Sequence, residues 1–186
     1  MKRMSTVIFG LIFTLLAVNF LAAGASAQMT PPTPAPELKK LDYFAGTWTS
    51  EATIPPGPWG SGGKFTDAVK SEWMKGEFYL VSHSDFSMPP ELGGAGTSLA
   101  VLWYDADSKT YREERFDSTG RHVVTTGALN GDTFTWTGEN DYHGMAISSR
   151  FTIKMGSPTS YTSKYEVSTD GGTNWLTFWE GKATKK

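Results

Sequence analysis

The chain has 186 residues, no cysteine, and 17 basic against 19 acidic side chains, for a net charge of −2. Without cysteine it forms no disulfide and has no thiolate nucleophile or metal ligand, and without a basic excess it offers no clustered cationic face for nucleic acid. The length suits one domain with one core, at the usual ~100–200 residues per domain.

Lys2 and Arg3 precede an apolar run from Val7 to Phe20, and Ala25-Ser26-Ala27 supplies a small-residue cleavage site. Together they read as a secretory signal peptide over residues 1–27. The run falls short of the ~18–20 apolar residues that a spanning helix needs, so no membrane span is expected. After cleavage near Ala27 the protein is expected to be periplasmic or secreted, with 15 basic and 19 acidic residues. All seven Trp residues lie in that mature part, and their burial has to sustain a fold that lacks disulfides.

Residues 28–36 are a Pro-rich tether with little to bury. From Glu37 the chain reads ELKKLDYF, in which Leu38, Leu41 and Phe44 are spaced three apart and Gly46 follows. One short helix or 3-10 turn is expected there, opening a domain over residues 37–186.

Beyond Gly46 the apolar period becomes two and turn signals recur, predicting about ten strands near 46–54, 65–75, 77–85, 97–104, 110–117, 121–129, 132–139, 144–155, 159–168 and 174–183. Asn130-Gly131 signals a type I′ hairpin, and the other links are mostly as short. Short links favour an antiparallel up-and-down meander, which removes its exposed edges by closing into an all-β barrel. Two links are long and rich in Gly and Pro, 55–63 carrying Trp59 and 87–96 carrying Leu92. They read either as flaps over a barrel mouth or as loops without a role.

Alternation assigns faces. The inward set is Phe65, Val69, Ser71 and Trp73 on the second strand, and Phe134 and Trp136 on the seventh. On the eighth it is Met145, Ile147, Ser149, Phe151, Ile153 and Met155, opposed by Ser148, Arg150 and Lys154. On the ninth Tyr161, Ser163, Tyr165 and Val167 oppose Lys164 and Glu166. Small hydroxyls, with Ser50 among them, thus recur between large rings. A buried Ser fills little volume and needs a partner, which cavity water or a ligand supplies, unless neighbouring backbone does.

The short helix running into Ala45-Gly46-Thr47-Trp48 resembles the opening of calycin barrels, in which a Gly-x-Trp helps close the barrel bottom. Leu102-Trp103-Tyr104-Asp105, Lys109-Thr110-Tyr111, Phe116-Asp117-Ser118, Gly120 and the Gly-x-Leu at Gly127–Leu129 follow in an order similar to that of the bacterial family called domain of unknown function 1579. The resemblance covers Glu37 to the C-terminus and implies a calycin-like, lipocalin-like barrel, often exported, with no catalytic residues to carry over. Arg112-Glu113-Glu114-Arg115 is more charged than that pattern.

Other constellations carry less chemistry. Ser168-Thr169-Asp170-Gly171-Gly172-Thr173-Asn174-Trp175 approximates an Asp-box, read here as a structural hairpin. His83, His122 and His143 lack the short-range pairing of a zinc site, and although Glu139, Asp141 and His143 alternate, no metal site is expected. A haem barrel resembling the nitrobindins would carry a proximal His late in the chain and a G-x-G beside its opening Trp. No His follows His143, and Trp48 precedes Thr49-Ser50-Glu51. No cofactor is expected. Alternation groups Tyr111, Glu113, Arg115 and Asp117. Pointing inward, Glu113 and Arg115 would form a buried ion pair capable of proton transfer. Facing water, the favoured reading, they are an ordinary surface charge pattern.

Three functions remain open. The favoured one is a module binding a small apolar or amphipathic molecule through Trp73, Trp136, Phe151 and Tyr165, with Ser149 as polar anchor. The others are a barrel enzyme using Tyr111, Glu113 or Arg115, and a solid barrel whose surface engages a partner through Trp59 and Leu92.

Overall fold

The computed structural model describes residues 31–142 and 144–186, so the expected leader, residues 28–30 of the tether and His143 lie outside the described residues. The chain divides into Met1–Pro32 and Thr33–Lys186, and the barrel lies wholly in the second unit.

A 3-10 helix spans Pro36–Phe44. Proline at its first position has no N–H to leave unpaired and a φ already suited to the helix. Three residues per turn put Leu38, Leu41 and Phe44 in one line, and Leu38 and Leu41 are buried. So long a 3-10 run is unusual, and side chains from across the barrel staple it. Trp48 Nε1 donates to Phe44 O at 3.1 Å, Trp73 Nε1 to Asp42 Oδ1 at 2.8 Å and the Tyr111 hydroxyl to Glu37 O at 3.1 Å.

Ten strands follow: β1 (Gly46–Ile54), β2 (Gly63–Trp73), β3 (Leu80–Ser87), β4 (Ala95–Asp105), β5 (Thr110–Asp117), β6 (His122–Asn130), β7 (Thr133–Tyr142), β8 (Met145–Ser157), β9 (Ser160–Ser168) and β10 (Leu176–Lys185). Each pairs antiparallel with its sequence neighbours, and β1 pairs with β10, from Trp48 opposite Lys185 to Thr53 opposite Glu180, closing the barrel. Among the described residues no helix is long and apolar enough to cross a membrane.

Two apolar clusters hold the ends. At the helix end Leu38, Leu41, Leu80, Leu102, Tyr111, Phe134, Trp136 and Ile153 pack together. At the other, the loop end, Ala52, Ile54, Phe65, Phe86 and Leu92 pack with the partly buried Trp59, Met88, Phe178 and Trp179. Both long loops therefore meet at one end, where Ser61 Oγ donates to Glu91 Oε1 at 3.2 Å.

Several local expectations need correction. β2 ends at Trp73 and β3 starts at Leu80, because residues 74–79 form a turn in which Gly76 and Glu77 take positive φ. The β6–β7 hairpin pairs Asn130 with Thr133, so its loop is Gly131-Asp132. Only Gly131 there has positive φ, whereas a type I′ turn needs it at both central residues. Met145 is exposed because it opens β8 at the rim, before the strand reaches the core. Ser148 and Glu166 stand on the outer wall yet are buried. Glu166 is clamped by Arg150 and Lys164, both at 2.9 Å, and Arg150 lies over the Trp175 ring at 4.2 Å.

The Asp-box hairpin is built around Asp170, which accepts from Ser168 Oγ, Asn174 N and Asn174 Nδ2 at 2.7–2.8 Å. Hydrogen bonds from Asn174 backbone and side chain, then from Ser168, hold its carboxyl down to about 2. Trp175 Nε1 closes the turn on Gly172 O.

Candidate functional site

Between the two end clusters the barrel is hollow. A cavity of about 270 Å³ runs from Phe44 and Trp48 at the helix end to Met88, Asp117 and Arg121 at the loop end. That is room for about nine waters at ~30 Å³ each, and it approaches the ~300 Å³ where small-ligand sites begin. The solid interior expected under the interaction reading is thereby corrected, and Leu92, offered as an exposed contact, is buried.

The wall is aromatic, with Phe65, Trp136, Phe151, Tyr165 and Trp179 lining the space. Phe65 and Trp179 stack at 5.1 Å, and Tyr165 stacks on Trp179 at 5.9 Å. Gly127 makes the seat of Trp136. The two are cross-strand partners, and a Cβ on Gly127 would fall 2.6 Å from the indole.

A polar belt crosses this wall at mid-height. Ser71 pairs with Ser82 (Oγ to Oγ 2.7 Å) and Ser84 with Ser98 (2.8 Å), so neighbouring strands satisfy each other's hydroxyls. Ser149 donates to Gly138 O at 3.2 Å and accepts from Asn140 Nδ2 at 2.9 Å. Burial pushes the Tyr161 and Tyr165 phenols up, opposed by hydrogen bonds with Ser50 and Ser149 respectively.

Charge enters the belt from β5 and β2. Glu113 and Arg115 point inward, which corrects the water-facing reading: Glu113 is 7% exposed, and both side chains line the cavity. The arrangement survives burial because Arg115 Nε and Nη2 both donate to Glu113 Oε1, at 3.0 and 2.6 Å, and Thr125 Oγ1 donates to Oε2 at 3.2 Å. Charge-assisted bonds of this kind offset desolvation. Glu113 above all holds the Arg115 guanidinium above its usual pKa, against burial.

Asp67 is the group that the sequence reading passes over. It lines the cavity from β2, and its carboxyl is pushed up to about 6 by burial; Arg115 and a hydrogen bond with Ser84 oppose the shift, and Asp85 adds to it. Its Oδ1 is buried and accepts no hydrogen bond from the described residues. The signal that finds it is alternation itself, since Asp67 stands two residues from both Phe65 and Val69.

Of the side chains proposed for ligand contact, Trp136, Phe151, Tyr165 and Ser149 line the cavity, whereas Trp73 lies at the helix end and bonds to Asp42. The proposed proton-transfer set is split. Tyr111 is packed in the helix-end cluster with its hydroxyl on Glu37 O, away from the Glu113–Arg115 pair. His83 is exposed, and His122 sits on the outer wall, bonded to Glu114 at 2.8 Å and stacked on Phe116 at 4.7 Å. Asp117 and Arg121 form an ion pair at 2.8 Å beside the cavity's loop end.

A family model described as "Protein of unknown function (DUF1579)" matches residues 33–185, taking in the helix and all ten strands. Among solved structures the chain is similar to Rv2717c from M. tuberculosis, at 11% identity and TM-score 0.57, over 82% of this chain and 99% of that one. Likeness at that identity concerns the fold alone. EF1p2_mFAP2b, solved bound to DFHBI, shares 14% identity over 80% of this chain and 98% of its own, and its TM-score of 0.36 is too low to bear on this chain. No curated protein matches.

Proposed function

We propose that this chain, which belongs to the DUF1579 family of proteins of unknown function, is an exported, calycin-like barrel that holds a small apolar or amphipathic molecule in its interior. The cavity of about 270 Å³ carries this reading. A concave space with aromatic walls and a few convergent polar groups is the usual composition of a small-molecule site. Trp136, Phe151 and Tyr165 contact the apolar body of the ligand, and Ser149 anchors its polar part. The basic N-terminus, apolar run and Ala25-Ser26-Ala27 support export.

Glu113 is no free proton acceptor, since both its oxygens already accept hydrogen bonds. Binding therefore takes precedence over proton transfer. Native mass spectrometry of protein purified from its own host tests the reading. A retained small molecule at one per chain, lost on unfolding, supports it, and an empty barrel in every preparation overturns it. N-terminal sequencing of the same material is expected to begin near Gln28.

A further inference from the structure

The charges lining the cavity do not balance. They comprise three carboxylates, Asp67, Glu113 and Asp117, and two guanidiniums, Arg115 and Arg121. Each guanidinium is paired with its own carboxylate, Arg115 with Glu113 and Arg121 with Asp117. Asp117 Oδ1 and Oδ2 accept from the Thr119 and Arg121 amides and Arg121 Nε. Asp67 is left over: among the described residues it forms no salt bridge, and its buried Oδ1 accepts no hydrogen bond from them. A carboxylate in such surroundings is costly to keep charged and favours a cationic partner.

Both lining guanidiniums are already ion-paired: Arg115 spends Nε and Nη2 on Glu113 and turns Nη1 toward Ser98 at 3.5 Å, and Arg121 spends Nε on Asp117. A cation finds Asp67 among the aromatic side chains Trp136, Tyr165 and Trp179 that line the same space, and aromatic rings attract ammonium groups. We propose that the barrel's ligand is a small protonated amine with an aromatic or aliphatic body, its ammonium bound to the Asp67 carboxylate. The cavity limits it to on the order of ten to fifteen non-hydrogen atoms. This inference rests on the small-molecule-binding reading and narrows it.

Binding of such a ligand is pH-dependent. Asp67 interacts with Arg115 on β5, Ser84 on β3 and Tyr161 on β9, with Asp85 on the outer side of β3, and it shares the cavity lining with Glu113, Asp117 and Arg121. Among these Asp67 is the group pushed up to about 6, so acid removes the negative charge that holds the ammonium.

Three probes of one shape test this: 4-phenylbutylamine, 4-phenylbutan-1-ol and 4-phenylbutanoate, titrated into the full chain with tryptophan fluorescence as readout. At pH 7.5 the amine is expected to bind at least tenfold more tightly than the alcohol, with the carboxylate weakest. Moving to pH 5 is expected to weaken the amine severalfold and leave the alcohol unchanged. In Asp67→Asn the amine and alcohol are expected to come within threefold of each other, with the alcohol's affinity retained. Equal or tighter binding of the alcohol or the carboxylate overturns the amine proposal and leaves the binding barrel standing. No saturable binding of any probe overturns both. The comparison of three probes at two pH values in the unmodified protein decides the matter even where Asp67→Asn fails to fold.

Discussion

Asp67 is expensive to keep. Its carboxyl holds a proton up to about pH 6 in the folded chain, against a usual value of 3.8, chiefly because burial disfavours the charge. The folded state thus binds this proton more tightly than the unfolded one, and the contribution of Asp67 to stability is greatest below about pH 4. It falls as pH rises toward 6 and is flat above, a loss on the order of 3 kcal/mol. Asp67→Asn removes the charge, so it is expected to raise stability at pH 7.5 by about 1–3 kcal/mol, or roughly 2–10 °C in Tm. At pH 4 most of that gain disappears. Urea unfolding from pH 4 to 8 checks this, and a gain independent of pH would show that Asp67 is not the buried charge described. A residue that destabilises its own fold at neutral pH while lining a cavity fits a role in function. The sequence holds the clue, because period-two alternation places Asp67 beside Phe65 and Val69. What hides it is that a charged side chain is almost never found inside unpaired.

Strands are legible where one face is apolar. β1 and β5 come out at Gly46–Ile54 and Thr110–Asp117, as their alternation and flanking turns indicate. Faces are harder to read where charge and aromatics alternate together, as in β5, because a paired Glu113–Arg115 inside and an exposed one outside share the same spacing. The serines show the same limit. Their inward position follows from alternation, but whether water, ligand or a second Ser satisfies them depends on register, which sets Ser71 opposite Ser82 and Ser84 opposite Ser98. Register also explains Gly127, which stands opposite Trp136 and leaves no room for a methyl group. Gly127→Ala is expected to push the indole off β6 and cost about 1–3 kcal/mol, as overpacking usually does. A shift in tryptophan emission should accompany the loss of stability in denaturant. An unchanged spectrum with full stability would mean that Trp136 is not seated on that glycine.

At the scale of the whole barrel the two ends have different tasks. Sheet closure through β1 and β10 removes every edge, so the ends are where the interior must be sealed. The helix end is sealed by fully buried leucines and by hydrogen bonds from Trp48, Trp73 and Tyr111. The loop end is covered by two Gly- and Pro-rich segments joined by an exposed Ser61–Glu91 contact, with Trp59 only partly buried. Connecting segments open at lower free-energy cost than a closed sheet, so the loop end is the expected way in. Leu41, at 0% exposure, belongs to the stable end, and Leu41→Ala is expected to cost about 2–5 kcal/mol. Trp59→Ala removes a partly buried ring over the entrance, and it is expected to cost less than half as much as Leu41→Ala. Its main effect is on exchange: a bound amine probe should leave several times faster in stopped-flow fluorescence, while Leu41→Ala leaves the release rate close to that of the parent under conditions where both are folded. Should Trp59→Ala unfold the chain instead, the ring is a core residue, and the entrance lies elsewhere.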